Sequence, residues 1–136
     1  MNPLRNLQLL NATNAGLSVV STGAYGHVLS GSGGTVTQAT SKSTGVTLNK
    51  PNGEVVMNGA ALAANTSVAF QLTNNAIGAN DNVLWSMKSG GSTLSYLVFT
   101  ELVSNGFCRA HVRNVSGGSL SEPIVLQFTV LKGSVS

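Results

Sequence analysis

The sequence contains very little charge. Only 8% of its 136 residues are Asp, Glu, Lys or Arg, against about 25% in an ordinary soluble domain. The seven Lys and Arg residues are scattered and the formal net charge is +3, which is too sparse for a nucleic-acid-binding surface. A free monomer usually carries more surface charge, so we expect the low-charge faces to be buried against other chains. The alternative is an uncharged β domain coated with Ser and Thr.

The sequence has only one cysteine and no long apolar run. Cys108 is the single cysteine, which excludes an intrachain disulfide framework. No apolar stretch approaches the length of a membrane-spanning helix. The first twenty residues, MNPLRNLQLLNATNAGLSVV, interrupt their apolar residues with Asn, Gln and Thr and show no signal-peptide pattern. We therefore expect no membrane contact and no secretion.

Residues that carry catalytic or metal chemistry are few. The chain has two histidines, His27 and His111, and no Gly-x-Ser-x-Gly motif, so a nucleophile with a base and an orienting carboxylate is not apparent. The Gly-rich stretch GSGGT lacks the Lys and Ser/Thr of a phosphate-binding loop. Cys108 and His111 are three apart in a strand pattern, so they point to opposite faces and cannot share a metal ion. The sequence therefore indicates a protein that is not an enzyme and needs no cofactor.

Small polar residues are what the sequence has in quantity. It contains 16 Gly, 17 Ser, 12 Thr and 14 Asn, which disfavour helix interiors and suit short strands joined by turns. From Val46 onward, apolar and polar residues alternate in short runs separated by turn residues. The pattern predicts an all-β fold, an antiparallel β-sandwich of about seven or eight strands. Jelly-roll and immunoglobulin-like connectivity both remain open, although the Cys…Trp…Cys pattern of immunoglobulin domains is absent.

The first ten residues show a different pattern. Pro3 follows the capping residue Asn2, and three leucines follow at a spacing of three, which predicts one or two turns of helix. Such a helix is too short to be stable alone in water, so its apolar stripe has to pack against something else. The candidate partner contacts in this helix are Leu4, Leu7 and Leu10.

A Gly/Ser/Thr-rich stretch follows this helix. Residues 15–45 are mostly small and polar, which is typical of a linker. We therefore predict an extended N-terminal arm over residues 1–45 and a sandwich domain over residues 46–136. The stretch TVTQAT within the arm has acceptable strand propensity and is able to add a strand to a neighbour's sheet edge.

Asn105-Gly106 is the strongest local signal, because this dipeptide is typical of a two-residue β-hairpin turn. The pairs that a turn at this position predicts are Val103 with Cys108, Glu101 with Ala110, and Phe99 with Val112. The predicted core side of the hairpin holds Phe99, Val103, Cys108, Ala110 and Val112. Glu101 then falls on the core side and needs a partner or a position at the rim.

Three bases occupy the opposite side of this hairpin, where they are predicted to lie against Val98, Thr100 and Leu102 of the other strand. Arg109, His111 and Arg113 stand at every second position, so they line one face of a strand. The interpretation that we favour is a solvated outer face of a sheet. The alternative is a contact with an acidic partner surface, for which Arg is well suited. Arg109 and Arg113 are the candidate partner contacts on that interpretation.

Two long stretches and the hairpin between them carry a resemblance to a known family. The stretches are GGTVTQATSKSTGVTLNKPNGEVVMNGAALAANTSVAFQLTN and RNVSGGSLSEPIVLQFTVLKG, and together the three regions span residues 33–133. They resemble small tailed-phage virion proteins of the head-decoration or capsid-cement type. The resemblance implies a compact β domain, commonly a jelly roll, that sits on the outside of the phage head as a dimer or trimer. It brings no catalytic residues.

The resemblance agrees with the composition and suggests a function. We expect a structural virion protein, made in the host cytoplasm, that binds across major capsid subunits and reinforces the shell. One alternative is a fibre or receptor-binding module that recognises carbohydrate. Sugar sites use exposed aromatic rings, and here Tyr25 and Tyr96 are the plausible ones, because Phe70, Trp85, Phe99 and Phe128 sit in strand patterns that predict core positions. A tail component of the virion is the third possibility.

Overall fold

The computed structural model describes residues 32–135, and this part of the chain is all-β. Its eight strands are β1 (Thr35–Thr37), β2 (Val46–Thr47), β3 (Asn52–Val56), β4 (Ser67–Thr73), β5 (Asn82–Ser89), β6 (Tyr96–Ser104), β7 (Phe107–Asn114) and β8 (Val125–Leu131). Within these residues there is no helix that could cross a membrane. The predicted short helix, with Leu4, Leu7 and Leu10, lies outside the described residues.

The strands form two four-stranded sheets. The first sheet has the order β1-β3-β8-β5 and the second has the order β2-β4-β7-β6. Most neighbours are antiparallel, but β1 runs parallel to β3 and β2 runs parallel to β4. The expectation of purely antiparallel sheets is therefore corrected to two mixed sheets. Strands β1 to β4 alternate between the two sheets. The chain crosses to the other sheet and back between β1 and β3, and again between β2 and β4, and each of these pairs is therefore parallel.

The two sheets enclose one hydrophobic core. Inward residues of β8 and β7, such as Leu126, Phe128, Cys108 and Ala110, are almost completely buried, while their neighbours in sequence face outward. Burying each large apolar side chain contributes about 1.5–3 kcal/mol. The prediction that Cys108 is a small buried hydrophobic residue is confirmed. Burial raises the pKa of its thiol to about 12, so the thiol stays protonated and is a poor nucleophile.

Trp85 links the two sheets within the core. It belongs to β5 of the first sheet, and its ring meets Phe70 of the second sheet edge to face, with centroids 5.7 Å apart and planes at 80°. On its other side it packs against Phe128 of β8, with centroids 5.4 Å apart. Aromatic pairs at these separations add about 0.5–1.5 kcal/mol to their burial. The core positions predicted for Phe70 and Phe128 are confirmed.

The turn at Asn105-Gly106 is confirmed, together with the adjacent pairing of Val103 with Cys108. Gly106 has a φ of 81°, whereas Asn105 does not have a positive φ, so this is not the type I′ turn in which both central residues are left-handed. The Gly106 amide donates to the Ile77 carbonyl at 2.9 Å. The tip of the hairpin is thus held against the loop that leads to β5.

The rest of the hairpin register differs from the prediction. A β-bulge at Glu101 shifts the pairing by one residue, so that Phe99 pairs with His111 and not with Val112. The predicted pairing of Glu101 with Ala110 is also wrong. An extra residue in one strand exchanges the two faces beyond it. The bulge keeps the Glu101 carboxylate out of the core and places Phe99 on the outer face.

Residues 32–45 lie against the sheets. Thr35–Thr37 pairs with β3 of the same chain, and both Gln38 and Lys42 are buried. The Lys42 ammonium donates to the backbone carbonyls of Asn58 and Glu122, each at 2.6 Å. Burial lowers the pKa of Lys42, and the nearby Glu122 carboxylate partly offsets this effect. The described part of the predicted arm is therefore packed on the body of its own chain.

Asp81 ties the start of β5 to the end of β8. Its carboxylate accepts hydrogen bonds from the Gly78 amide at 2.7 Å, from the Gly133 amide at 3.0 Å and from the Lys132 ammonium. Burial by itself would raise the pKa of Asp81, but these hydrogen bonds outweigh it and hold the pKa below its ordinary value of 3.8.

Replacing Asp81 with Asn is expected to lower the free energy of unfolding by about 1–2 kcal/mol near neutral pH, because hydrogen bonds to a charged group are the stronger ones. Since the folded-state pKa lies below 3.8, the carboxylate stabilises the fold above this value, and the contribution is lost as the pH falls through the folded-state pKa. Thermal unfolding across the acid range checks this. The wild type should lose more stability in acid than Asp81→Asn, and parallel pH profiles would contradict the assignment.

Candidate partner-binding face

The outer face of the second sheet brings apolar and basic side chains together in cross-strand pairs. In β6 and β7, Leu97 pairs with Arg113, Phe99 with His111, and Leu102 with Arg109. We call these six residues the basic–apolar face. β7 is flanked on its other side by β4, and β6 is the edge strand of the sheet.

The apolar half of this face is well exposed. Leu97 is 56% exposed, and Phe99 and Leu102 are each 47% exposed. Side chains two apart share a face of a regular strand, so Leu102 would point away from Leu97 and Phe99 if β6 were regular. The bulge at Glu101 moves Leu102 to the same side. β6 therefore presents all three large apolar side chains to one side of the sheet.

The basic half of the face follows from the alternation of β7. Its inward residues are fully buried, and Arg109 and Arg113 are exposed on the other side. The prediction that the two arginines and His111 share one outer face is confirmed. The Phe99 and His111 rings are in contact in a tilted arrangement, with centroids 5.1 Å apart and planes at 37°, so the aromatic ring adjoins the basic strand on this face.

The positive charge of this face is only partly balanced. Arg109 lies 3.9 Å from the Glu101 carboxylate, and both side chains are about half exposed, so the pair contributes about 0–1 kcal/mol. Among residues 32–135, Arg113 has no carboxylate within ion-pair distance. An acidic group on another molecule would therefore find Arg113 available.

The outer face of the first sheet has a different character. Its outward residues are largely uncharged and polar, for example Thr35, Ser86 and Gln127, and its Glu54 and Lys88 neutralise each other in an ion pair. Its one large exposed apolar residue is Leu84. A shallow groove of about 280 Å³ crosses this face between Gly33, Asn52 and Gln127. The two outer faces of the molecule are thus chemically distinct.

Neither tyrosine predicted as an exposed sugar-binding platform is part of the described basic–apolar face. Tyr96, a predicted exposed aromatic platform, is half buried, and its hydroxyl is shielded from solvent beside the Glu122 carboxylate. Burial is the main cause that raises the pKa of Tyr96. Tyr25 lies outside the described residues. Within the part of the chain that the structure describes, no three His, Cys, Asp or Glu side chains are close enough to hold a metal ion.

The sequence prediction placed Leu102 on this outer face but missed Leu97 and Phe99, and it wrongly placed Val98 and Thr100 there. Phe99 was expected in the core and is at the surface, where its ring stands beside His111. The available signal was Glu101, whose predicted position on the core side was electrostatically unfavourable. A bulge at that residue removes the conflict and at the same time exposes Phe99.

Comparison with protein-family models, with curated proteins and with solved structures finds no match for this chain. The basic–apolar face is therefore the feature from which its function is best inferred.

Proposed function

We propose that this chain is a non-enzymatic structural protein of a tailed-phage virion, a decoration or cement protein of the head. It binds across neighbouring major capsid subunits and stabilises the shell, as a homotrimer or homodimer on the outer surface. The observation that carries the proposal is the contrast between the two outer faces. One presents Leu97, Phe99 and Leu102 beside Arg113, and the other is polar and charge-balanced.

Docking through the basic–apolar face combines two physical effects. Exposed leucine and phenylalanine side chains gain about 25 cal/mol for each Å² of apolar area that is removed from water. Arg109 and Arg113 provide charge complementarity to an acidic surface, which improves specificity and the rate of association. The polar face then remains in contact with solvent, as an outer virion surface requires.

Binding to the assembled lattice is what makes such a protein a cement. A ligand that binds the assembled shell and not its separated subunits stabilises the shell by mass action. An oligomer that contacts several capsid subunits at once also gains avidity from each additional contact. Moderate affinity of one basic–apolar face is therefore sufficient.

The strand order supports the jelly-roll interpretation for β3 to β8. β3 pairs with β8 and β4 with β7, while β5 and β6 are the edge strands of the two sheets on the side away from β1 and β2. Such nested pairing is what a long hairpin produces when it is rolled into two sheets, as in jelly rolls. The parallel strands β1 and β2 are additions to this arrangement.

The N-terminal arm remains part of the proposal as a second attachment point. Leu4, Leu7 and Leu10 stay predicted contacts, and β1, the first described strand, lies at the edge of the first sheet. A segment of about 30 residues is able to span up to about 100 Å when extended. An extended arm of this length is what the proposal requires for contact with a neighbouring subunit.

Co-sedimentation with purified heads that lack the protein tests the proposal. We expect saturable binding at a fixed number of copies per head, by an oligomer whose size is measured in parallel by equilibrium sedimentation of the protein alone. Heads treated with heat or denaturant should release their DNA later when they carry the protein. Absence of binding to heads, with binding to tails or to host cells instead, would contradict the cement function.

The polar groove on the first sheet favours one rival, a carbohydrate-recognising fibre or receptor module. Asn52 has a buried Oδ1 without a hydrogen-bond partner at this groove, and amide groups are common ligands of sugar hydroxyls. The groove lacks an exposed aromatic ring on which a sugar could stack. A glycan array probed at high protein concentration separates the two functions. We expect no signal, and a signal abolished by Asn52→Ala would support the rival.

A further inference from the structure

Leu94 is the most exposed large apolar residue in the described part of the chain. It lies in the turn that leads from β5 to β6, and 91% of its surface is accessible to solvent. Its φ of 57° is in the left-handed region. The turn is closed by a hydrogen bond from the Ser95 amide to the Ser92 carbonyl at 3.2 Å.

Neither folding nor solubility explains a leucine at this position. The left-handed region is unfavourable for any residue with a Cβ atom, and Gly and Asn are the residues that tolerate it. A leucine with almost its entire side chain in water contributes nothing to the core. Strained backbone conformations cluster at functional sites, and at Leu94 the strain coincides with almost complete exposure of an apolar side chain.

Leu94 lies close to one end of the basic–apolar face. Its turn leads directly into β6, where Leu97 is the first apolar residue of that face. Val115, another partly exposed apolar residue, is held beside the turn because its amide donates to the Ser95 carbonyl at 2.9 Å. Leu97 itself pairs with Arg113. The turn with Leu94 and Val115 therefore lies at the end of the β6–β7 hairpin where Leu97 pairs with Arg113.

Contacts with neighbouring residues hold the turn in place. The Ser92 hydroxyl donates to the Glu122 carboxylate at 2.5 Å. A Cβ atom at Gly91 would lie 2.8 Å from the Met87 sulfur and 3.0 Å from the Ile124 side chain, so any larger residue would require these neighbours to shift. These contacts hold the turn in place, and a pre-organised contact residue loses less entropy on binding.

We infer that Leu94 is an anchor residue that enters an apolar pocket, rimmed by acidic side chains, on a different protein. The inference rests on the proposed function, and it places the pocket on the capsid shell. The acidic rim follows from charge complementarity with Arg113, which has no carboxylate partner among the described residues. A second copy of this chain does not fit, because it would bring the same two arginines to the interface and supply only Glu101 as a nearby acid.

The test uses Leu94→Asn and the binding of the full-length protein to purified heads that lack it. Because Asn tolerates the left-handed region, the unfolding temperature of the variant should be unchanged or higher. Binding should weaken by at least about tenfold, the effect expected of a buried anchor. Leu94→Met, which keeps an apolar side chain, should retain most of the binding. Leu84→Asn removes an exposed leucine from the other sheet and should leave head binding unchanged.

The outcomes separate this inference from the proposed function. If Leu94→Asn binds heads as tightly as the wild type does, the anchor role is overturned and the cement function stands. A lower unfolding temperature for Leu94→Asn would show that Leu94 stabilises the fold, which also contradicts the inference. A wild type that does not bind heads would overturn both.

Discussion

Arg113→Glu is expected to weaken binding to heads by about 100-fold, the largest effect of any single change on the basic–apolar face. Arg113 lacks an ion-pair partner in the described chain, so its charge is free to meet an acidic partner, and reversal replaces attraction with repulsion. Loss of one member of a hydrogen-bonded charge pair that is buried in the interface costs about 2–5 kcal/mol, and about 2.7 kcal/mol corresponds to a factor of 100. Co-sedimentation over a range of concentrations measures the change.

Arg109→Glu provides a graded comparison. Arg109 is already 3.9 Å from Glu101, so part of its charge is balanced within the chain, and its reversal should weaken binding less than that of Arg113. Raising the ionic strength should weaken wild-type binding, because salt screens exposed charges over about 10 Å at 0.1 M. The Arg113→Glu variant should show less of this salt dependence.

A control with the same change in net charge is available on the other sheet. Thr37→Glu combined with Ser86→Glu adds two negative charges to outward positions of the first sheet. This double variant should bind heads as the wild type does. If the control loses binding and Arg113→Glu keeps it, the polar face is the docking face and the assignment is wrong.

Phe70→Ala is expected to destabilise the isolated protein by about 3–5 kcal/mol, the usual loss when a buried Phe is truncated. Phe70 is almost fully buried and packs edge to face on Trp85 of the opposite sheet, so its removal leaves a cavity where the two sheets meet. A loss of this size is a large part of the roughly 5–15 kcal/mol that stabilises a typical domain. Urea unfolding followed by Trp85 fluorescence measures both the stability and the environment of the ring.

The neighbouring residue supplies the control. Gln71 follows Phe70 in β4 and points to solvent, so Gln71→Ala should change the free energy of unfolding by no more than about 0.5 kcal/mol. Equal, small effects of both substitutions would contradict the packing of the two sheets over one core. Phe70→Leu, which keeps most of the volume, should fall between the two.

Regular strands were predictable because apolar and polar residues alternate in the sequence of a strand that is buried on one face. β7 is the clearest case: Cys108, Ala110 and Val112 face the core and Arg109 and Arg113 face outward, as alternation predicts. The sheet partners of β1 and β2 were not predictable: TVTQAT was expected to be able to pair with a neighbour's sheet edge, whereas Thr35–Thr37 pairs with β3 of the same chain. The two strands contain three and two residues, too few to show a period, and their parallel pairing depends on how the chain crosses between the sheets.

The candidate site was predictable in its basic half and at Leu102, which lies between the bulge and the turn and so keeps the register that the turn predicts. Arg109 and Arg113 lie on a regular strand, so spacing alone placed them on one face. Phe99 was assigned to the wrong face because a single extra residue at Glu101 exchanges inward and outward positions along the rest of β6. Leu94 gave no sequence signal, since a left-handed φ at a leucine follows from the turn and its support and not from residue type.

The most direct test of the account is a cryo-EM reconstruction of heads saturated with the wild-type protein. The account predicts an oligomer on the outer surface, with the β2-β4-β7-β6 sheet toward the shell, Leu94 and Arg113 at the contact, and the polar first sheet toward solvent. Density with the first sheet against the shell, or heads that carry no added density at saturating protein, would contradict it.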